Sequence, residues 1–167
     1  MRQTMRDAGP RVLGPKDGEV SGDPSFRRDR FMIDGKDSGG GFSLVEHTLA
    51  PHVLAGPLHL HSLEDEYSFV LEGRLAALLG EHEVIAEPGD LVFKPRGQWH
   101  TFWNPGETTT RILEIISPAG LEDLFRELGK PGGEYDQSTL PALAARYGGK
   151  VDFERTSPII ERHRLLF

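Results

Sequence analysis

Cysteine is absent from this chain of 167 residues, which excludes a disulfide framework, a thiolate zinc site and a cysteine nucleophile. Long apolar runs are absent as well, since none approaches the roughly 18 residues that a membrane-spanning helix needs. The first residues also lack the apolar stretch of a secretion signal. We therefore expect a protein of the reducing cytoplasm that has no membrane as a partner.

Basic residues are fewer than acidic residues in this chain. Nineteen Lys and Arg stand against 26 Asp and Glu, and the formal net charge of -7 is a poor electrostatic match for a nucleic-acid backbone. Turn-forming residues are plentiful instead, because 20 glycines and 12 prolines suit many short strands better than a helical bundle. The composition predicts a mainly β domain that has no nucleic acid as a partner.

Short segments with period-two alternation follow one another through the middle of the chain. Turn dipeptides such as Pro88-Gly89 separate them at a spacing of roughly ten residues. This pattern predicts a β-barrel over residues 25–117, preceded by an N-terminal arm, residues 1–24, without periodicity. The strands are expected at residues 42–49, 66–71, 74–79, 83–86, 91–94, 99–103 and 111–117.

The periodicity changes after Ser117, where apolar residues recur at the spacing of a helix face. Two helices are predicted within residues 118–150, the first with Ser117 placed to cap it and Gly129 to end it. We expect both helices to pack on an edge or an end of the barrel, and the alternative is a lid. Their apolar positions are Leu121, Leu124, Phe125 and Leu128, and then Leu140, Leu143, Ala144 and Tyr147.

Residues 151–167 form a tail that is too apolar to stay free in water. It is expected to dock on this barrel or on that of a partner chain. Together with the exposed edges of a small barrel, this tail predicts a homodimer. The apolar residues of the tail are Ile159, Ile160, Leu165, Leu166 and Phe167.

Three of the seven histidines lie in strand-like surroundings close to a carboxylate. His59 and His61 point to the same side of an extended segment. Glu66 follows across a short turn, and a hairpin would return its carboxylate to the imidazole pair. His100 begins another predicted strand. Three imidazoles and a carboxylate suit one divalent transition ion (iron, manganese, nickel, cobalt, copper or zinc) and do not suit magnesium or calcium.

Spacing is what distinguishes these histidines from ordinary ones. A single histidine on a strand is usually a surface residue or a core residue with a satisfied hydrogen bond. The remaining four lack metal-ligand spacing and are predicted not to be ligands: His47, His52, His82 and His163.

The first spacing resembles the first motif of the cupin superfamily, which reads His-x-His, three or four residues, Glu, six residues and Gly. Here His59 and His61 are followed by four residues, Glu66, six residues and Gly73. The motif usually begins with Gly five residues before the first His, and Leu54 stands at that position. This departure affects the turn that leads into the site and not the ligands.

A second spacing resembles the second cupin motif, which reads Gly, five residues, Pro-x-Gly, two residues, His, three residues and Asn. Every fixed position is matched, by Gly89, Pro95, Gly97, His100 and Asn104. The two motifs occur in order with fifteen residues between them, which is typical of the superfamily. Their glycines and proline serve tight turns between strands.

The cupin resemblance implies a double-stranded β-helix, or jelly-roll barrel, with a metal ion inside. The residues that match the metal ligands of the family are His59, His61, Glu66 and His100. Alternation along the strands and nearness to the ligands give the expected pocket for a small-molecule substrate. Its residues are Tyr67, Ser68, Val70, Phe93, Gln98 and Phe102.

The stretches GPLHLHSLEDEYSFVLEGRL and ISPAGLEDLFRELG resemble small single-domain cupins of the quercetin 2,3-dioxygenase-like group. This resemblance implies a metal-dependent dioxygenase that cleaves an aromatic enol such as a flavonol. In that chemistry Glu66 is the catalytic base that accepts the proton of the substrate hydroxyl, and dioxygen then reacts with the electron-rich enolate.

Two alternatives stay open, because one scaffold hosts many reactions. The first is an isomerase, lyase or decarboxylase that uses the ion as a Lewis acid for a small oxygenated substrate. It needs a second acid or base, for which Tyr67 is the nearest candidate in the sequence. The second alternative is a cupin that binds a small molecule without turnover.

Overall fold

The computed structural model describes residues 9–131 and 136–167. Parts of the predicted arm and of the predicted helical region, residues 1–8 and 132–135, lie outside the described residues. Within the described residues the chain forms eleven strands and three helices. The strands are β1 (Glu19–Gly22), β2 (Arg27–Ile33), β3 (Ser43–Leu49), β4 (Leu58–His61), β5 (Asp65–Glu72), β6 (Leu75–Leu79), β7 (His82–Ala86), β8 (Leu91–Lys94), β9 (His100–Trp103), β10 (Thr110–Ser117) and β11 (Gly149–Asp152). The helices are α1 (Glu122–Leu128), α2 (Leu140–Arg146) and α3 (Phe153–His163).

The strands form two antiparallel sheets that face each other. The order in the six-stranded sheet is β1-β2-β3-β10-β5-β8, and in the five-stranded sheet it is β11-β4-β9-β6-β7. Strands that are distant in sequence are neighbours in space, because β10 pairs with both β3 and β5. The predicted mainly β barrel is confirmed. In the part of the chain that the structure describes, no helix is long and apolar enough to cross a membrane.

The main core lies between the two sheets and follows from period-two alternation. Along β10 every second residue is buried, which turns Ile112 towards the five-stranded sheet. Phe102 from β9 and Leu75 from β6 meet it from the other side. The interior of the barrel is therefore reached by alternate residues of strands from both sheets.

The helices cover the barrel at two places. Helices α1 and α2 share a hydrophobic cluster with strands β2, β3 and β10, and they close one end of the barrel. Helix α3, in the predicted tail, packs Ile159 against Trp103 and Leu54 on the outside of the five-stranded sheet. The tail thus docks on the barrel of its own chain.

Helix α1 begins later than the sequence predicts. Ser117 was expected as its N-cap, but this residue ends β10 and its hydroxyl donates to the carbonyl oxygen of Gly41 at 2.8 Å. The N-cap is Leu121, and no side chain caps the helix there. The predicted end of the helix at Gly129 agrees with the structure.

The outer face of β5 and β8 exposes large apolar side chains. Strand β8 is an edge strand of its sheet, so this face adjoins unpaired backbone groups. The homodimer expected from the sequence stays a prediction. The exposed residues of the face are Phe69, Leu71, Leu91 and Phe93.

Candidate metal centre

Four predicted ligands converge inside the barrel from both sheets. His59 and His61 lie on β4 and His100 on β9, and His59 is paired with His100 in register. Glu66 lies on β5, in the opposite sheet. The carboxylate therefore reaches the imidazoles across the barrel. The prediction that a hairpin places Glu66 on a strand next to β4 is wrong. One ligand atom of each residue lies within 4.8 Å of the others.

The imidazoles are crowded around the carboxylate. The distance from His100 Nε2 to Glu66 Oε2 is 3.0 Å, and that from His61 Nε2 to the same oxygen is 3.4 Å. The ring centroids of His59 and His100 are 4.4 Å apart, and those of His59 and His61 are 4.9 Å apart. His61, Glu66 and His100 are all buried, so the cluster is shielded from bulk solvent.

Backbone carbonyls orient two of the imidazoles. His59 Nδ1 donates to the carbonyl oxygen of Pro57 at 2.6 Å, and His100 Nδ1 donates to that of Gln98 at 2.9 Å. A hydrogen bond at Nδ1 fixes the tautomer in which Nε2 carries the lone pair. Both rings therefore present an Nε2 donor atom to the centre of the cluster.

The cluster fits a divalent transition ion. Both ring nitrogens of His61 are buried and make no hydrogen bond to the described residues. Leaving a buried polar atom without a partner costs about 1–3 kcal/mol, and a cation at the centre would satisfy Nε2. Three imidazole nitrogens and one carboxylate oxygen are the donor set that iron, manganese, nickel, cobalt, copper or zinc takes.

The protonation states of the cluster suit a cation. Burial raises the pKa of Glu66, but the charge of Lys94, together with the contacts of the imidazoles, outweighs burial and holds that pKa well below its usual value. Burial, followed by repulsion from His100 and His61, keeps the pKa of His59 well below that of a free imidazole. A carboxylate and a neutral imidazole are the forms that bind metals.

A buried lysine stands beside the cluster and was missed by sequence reasoning. Lys94 Nζ is 3.6 Å from Glu66 Oε2, 2.8 Å from Glu114 Oε1 and 4.4 Å from the centre of the Phe102 ring. Ser68 Oγ donates to Glu114 Oε2 at 2.6 Å. Because Lys94 and Glu114 occupy inward positions of β8 and β10, period-two alternation could have found them.

The cluster opens into a cavity below α1 and α2. The cavity has a volume of about 70 Å³ and is lined by His59, His61 and Glu66, with apolar walls that include Phe102 and Phe125. An outer cleft of about 410 Å³ shares part of this lining, so the route to the site passes between β2, a loop and the two helices. The shared residues are Arg27, Ala55, Gly56, Pro57, Leu128 and Leu140.

Three of the six predicted pocket residues lie inside the barrel. Phe102 lines the cavity as expected. Ser68 and Val70 are buried inside the barrel, as alternation predicted, but they are not part of the cavity wall.

Three pocket predictions need correction. The rings of Tyr67 and Phe93 stack with centroids 4.9 Å apart, and Phe93 is 48% exposed. Both residues alternate with buried neighbours on β5 and β8, so they lie on the outer face and not in the pocket. Gln98 is also absent from the wall of the cavity and acts through its backbone carbonyl, which orients His100.

A carboxylate–imidazole pair in the cavity was also missed. His47 lines the cavity together with Arg27, and His47 Nδ1 lies 2.6 Å from Asp29 Oδ1. Asp29 precedes the predicted strands, so no sequence pattern indicated that it faces His47. His47 and the other three histidines are not part of the candidate metal cluster of the described residues.

Comparison with known proteins agrees with this architecture. Residues 45–116 match the family model of the cupin domain. The tetracenomycin polyketide synthase protein TcmJ of Streptomyces glaucescens is 35% identical over 60 residues, which are 36% of this chain and 40% of that protein. The chain thus spans about two fifths of the curated relative.

Two solved structures share the fold at low sequence identity. A predicted oxalate decarboxylase from Thermotoga maritima has a TM-score of 0.60 and 19% identity, and covers 65% of this chain and 99% of its own. KdgF from Halomonas sp. has a TM-score of 0.59 and 15% identity, and covers 69% of this chain and 99% of its own. Residues 45–116 thus match the cupin domain, and the fold of the chain is the cupin double-stranded β-helix.

Proposed function

We propose that this chain is a metal-dependent enzyme that acts on a small aromatic or enolic molecule, with dioxygenase chemistry as the first candidate. The observation that carries the proposal is the convergence of three imidazoles and Glu66 within 4.8 Å at the wall of a cavity with apolar sides. Buried ionisable groups that meet in a cavity are a feature of functional sites.

Each residue of the site has a role in this proposal. His59, His61, Glu66 and His100 would hold the ion, which when bound supplies Lewis-acid activation of a substrate hydroxyl and, if redox-active, electron transfer to dioxygen. Glu66 accepts the proton of that hydroxyl, because its carboxylate is ionised and faces the cavity. A carboxylate beside the ion is placed to act as a general base.

The apolar wall favours an aromatic or enolic substrate. Phe102, Leu124 and Phe125 line the cavity and can pack against a flat ring while they exclude water. The Streptomyces glaucescens relative is named as a polyketide synthase protein, and polyketides carry keto and enol oxygens. That relationship supports the substrate class and leaves the reaction open.

A second candidate is an isomerase, lyase or decarboxylase of a small oxygenated substrate. This chemistry needs an acid or base besides Glu66. Tyr67, the residue considered for it in the sequence, faces outward. His47, however, lines the same cavity as Glu66 and could serve as the second acid or base.

Oxygen uptake separates the two candidates. Protein loaded separately with each of the six ions is mixed with a flavonol and with smaller enols, and dioxygen is followed with an electrode while the substrate is followed by absorbance and NMR. A dioxygenase consumes dioxygen in step with substrate. Conversion that continues without dioxygen identifies the second candidate instead.

Binding without conversion under either condition would identify a cupin without turnover. The matched controls for this experiment are Glu66→Gln, which removes the base at nearly constant volume, and His82→Gln, which changes an exposed histidine. Activity that persists in the Glu66 variant would contradict the role proposed for this carboxylate.

A further inference from the structure

Strands β2 and β3 hold a polar triad, of which Arg27 and His47 line the cavity. Asp29 and His47 are directly paired in register, and both are buried. The carboxylate of Asp29 accepts from Arg27 Nε at 2.9 Å and from Arg27 Nη2 at 3.0 Å, and His47 Nδ1 lies 2.6 Å from Asp29 Oδ1. The orientation of the imidazole is therefore fixed from one side.

This arrangement determines which nitrogen of His47 carries the proton. Burial raises the pKa of Asp29, but the charge of Arg27 and the hydrogen bonds from Arg27 and His47 outweigh burial and hold it well below its usual value. An ionised carboxylate only accepts hydrogen bonds, so His47 Nδ1 is the donor. In the neutral imidazole Nε2 then carries the lone pair, and no described residue forms a hydrogen bond with it.

The surroundings of His47 are aromatic. Its ring lies 5.1 Å from that of Phe125 in an edge-on arrangement and 6.2 Å from that of Phe102. Both phenylalanines line the cavity with His47, so an acceptor at Nε2 stands among apolar walls. Hydrogen bonds are stronger in such surroundings than in water.

The same cavity is lined by His59, His61 and Glu66. A ligand with two oxygens can therefore place one of them at the candidate metal cluster and offer the other to His47. Such a ligand would give the lone pair of His47 a hydrogen-bond donor.

We infer that His47 is a substrate-binding residue whose Nε2 accepts a hydrogen bond from a phenolic or enolic hydroxyl of the ligand in the cavity. The ligand class rests on the proposed function, whereas the acceptor role of His47 does not require a bound ion. Asp29 holds the imidazole in the accepting tautomer, and Arg27 holds Asp29.

The first test uses metal-free protein and phenol as the probe. Histidine side chains are labelled with ¹⁵N, and the signals of His47 are assigned by their loss in the His47→Asn variant. We expect the signals to show a protonated Nδ1 and an unprotonated Nε2, and we expect phenol to shift the Nε2 signal in a saturable way. An Nε2 signal that phenol does not move, or that carries the proton, would overturn the inference.

The second test uses metal-loaded protein and 4-nitrocatechol, whose binding is followed by visible absorbance. Asn at position 47 can still donate to Asp29 but lacks an acceptor at the position of Nε2. We expect His47→Asn to bind the probe about tenfold more weakly, which is the loss of one hydrogen bond, with the metal content unchanged. His52→Asn, which alters a half-buried histidine that is paired with Glu107 and does not line the cavity, is the matched control.

The outcomes separate this inference from the proposed function. Equal affinity of the His47→Asn variant and the parent for 4-nitrocatechol overturns the role of His47 even when the metal binds. Failure of the parent to bind any of the six ions overturns the proposed function, and the phenol titration then decides the role of His47 alone.

Discussion

His61 depends more on a bound cation than the other imidazoles of the cluster. His59 and His100 each donate a hydrogen bond to a backbone carbonyl, whereas His61 has neither nitrogen satisfied by the described residues. It is held in place by the packing of β4 between β9 and β11. Its position inside the barrel is understandable if Nε2 is a ligand atom.

Replacing His61 by Ala should therefore abolish tight metal binding. The change removes one of four donors, and we expect the affinity for the ion to fall by more than the roughly 10- to 100-fold that is typical when only an outer partner of a ligand is lost. Elemental analysis after dialysis measures the effect. His82→Ala, an exposed histidine, should keep the metal content of the parent, and an unchanged metal content in both variants would refute the site.

Asp29 makes the stability of the protein dependent on pH. Its pKa in the folded state is far below the value of about 3.9 in the unfolded chain. Its contribution to the free energy of unfolding is then complete above about pH 4 and is lost as the pH falls below that value. Asp29→Asn removes this contribution and leaves the partly buried Arg27 with an uncompensated charge, which should cost about 3 kcal/mol near pH 7.

Urea unfolding of the parent and of Asp29→Asn between pH 3 and pH 7 measures this effect. The difference between the two proteins should be constant near neutral pH and should shrink as the pH falls below about 4. Glu81→Gln, an exposed carboxylate, should show no such difference. A gap between parent and variant that stays the same at every pH would contradict the assignment to Asp29.

At the residue scale the sequence predicts ligands better than pocket walls. The convergence of the four candidate ligands was predictable because motif spacing fixes their number and their order along the chain. The prediction that Tyr67 and Phe93 line the pocket was wrong, because nearness to a ligand in sequence does not decide which face of a strand a residue occupies. Lys94 was missed because a charged residue in a strand is expected to face water.

At the scale of elements, the turn between β5 and β6 is sensitive to a single added methyl group. Gly73 has a φ of +74°, and a Cβ atom there would lie 2.6 Å from the carbonyl oxygen of Thr109. The left-handed conformation alone costs about 1–2 kcal/mol in a residue with a side chain. The steric conflict adds to this cost because the neighbouring atom belongs to the backbone.

Gly73→Ala should accordingly lower the free energy of unfolding by about 2–4 kcal/mol. Gly56→Ala is the matched control, since a Cβ at Gly56 would meet no atom within 4 Å and its φ is not positive. Denaturant unfolding of both variants gives the comparison. Equal stability of the two alanine variants would show that the turn can relax without loss.

Strand prediction succeeded where one face of the strand is apolar. All seven expected strands, from residues 42–49 to residues 111–117, are present with similar bounds. Strand β2 was missed because its buried face includes Arg30, which pairs with buried Glu46 at 2.7 Å. Such a pairing becomes visible only when β2 and β3 are side by side.

Helix α3 was missed because it contains Pro158, which normally argues against a helix.

At the scale of the whole molecule, the candidate metal cluster joins the two sheets. The three imidazoles belong to the five-stranded sheet and Glu66 to the six-stranded one. A bound ion would therefore add a link across the barrel between strands of opposite sheets. Unfolding separates these ligands, so the ion binds the folded state in preference to the unfolded chain.

Metal binding should thus raise the thermal stability of the protein. Free ion at about 100 times its Kd stabilises the folded state by about 2.7 kcal/mol, and for a domain of this size each kcal/mol raises Tm by about 2–4 °C. We expect a rise of roughly 5–10 °C over the chelator-treated protein in a calorimetric scan. Glu66→Gln removes the only ligand from the six-stranded sheet, so the ion should shift the Tm of this variant much less. An equal rise in the parent and the variant would place the stabilising ion elsewhere, because a link between the sheets needs the carboxylate of Glu66.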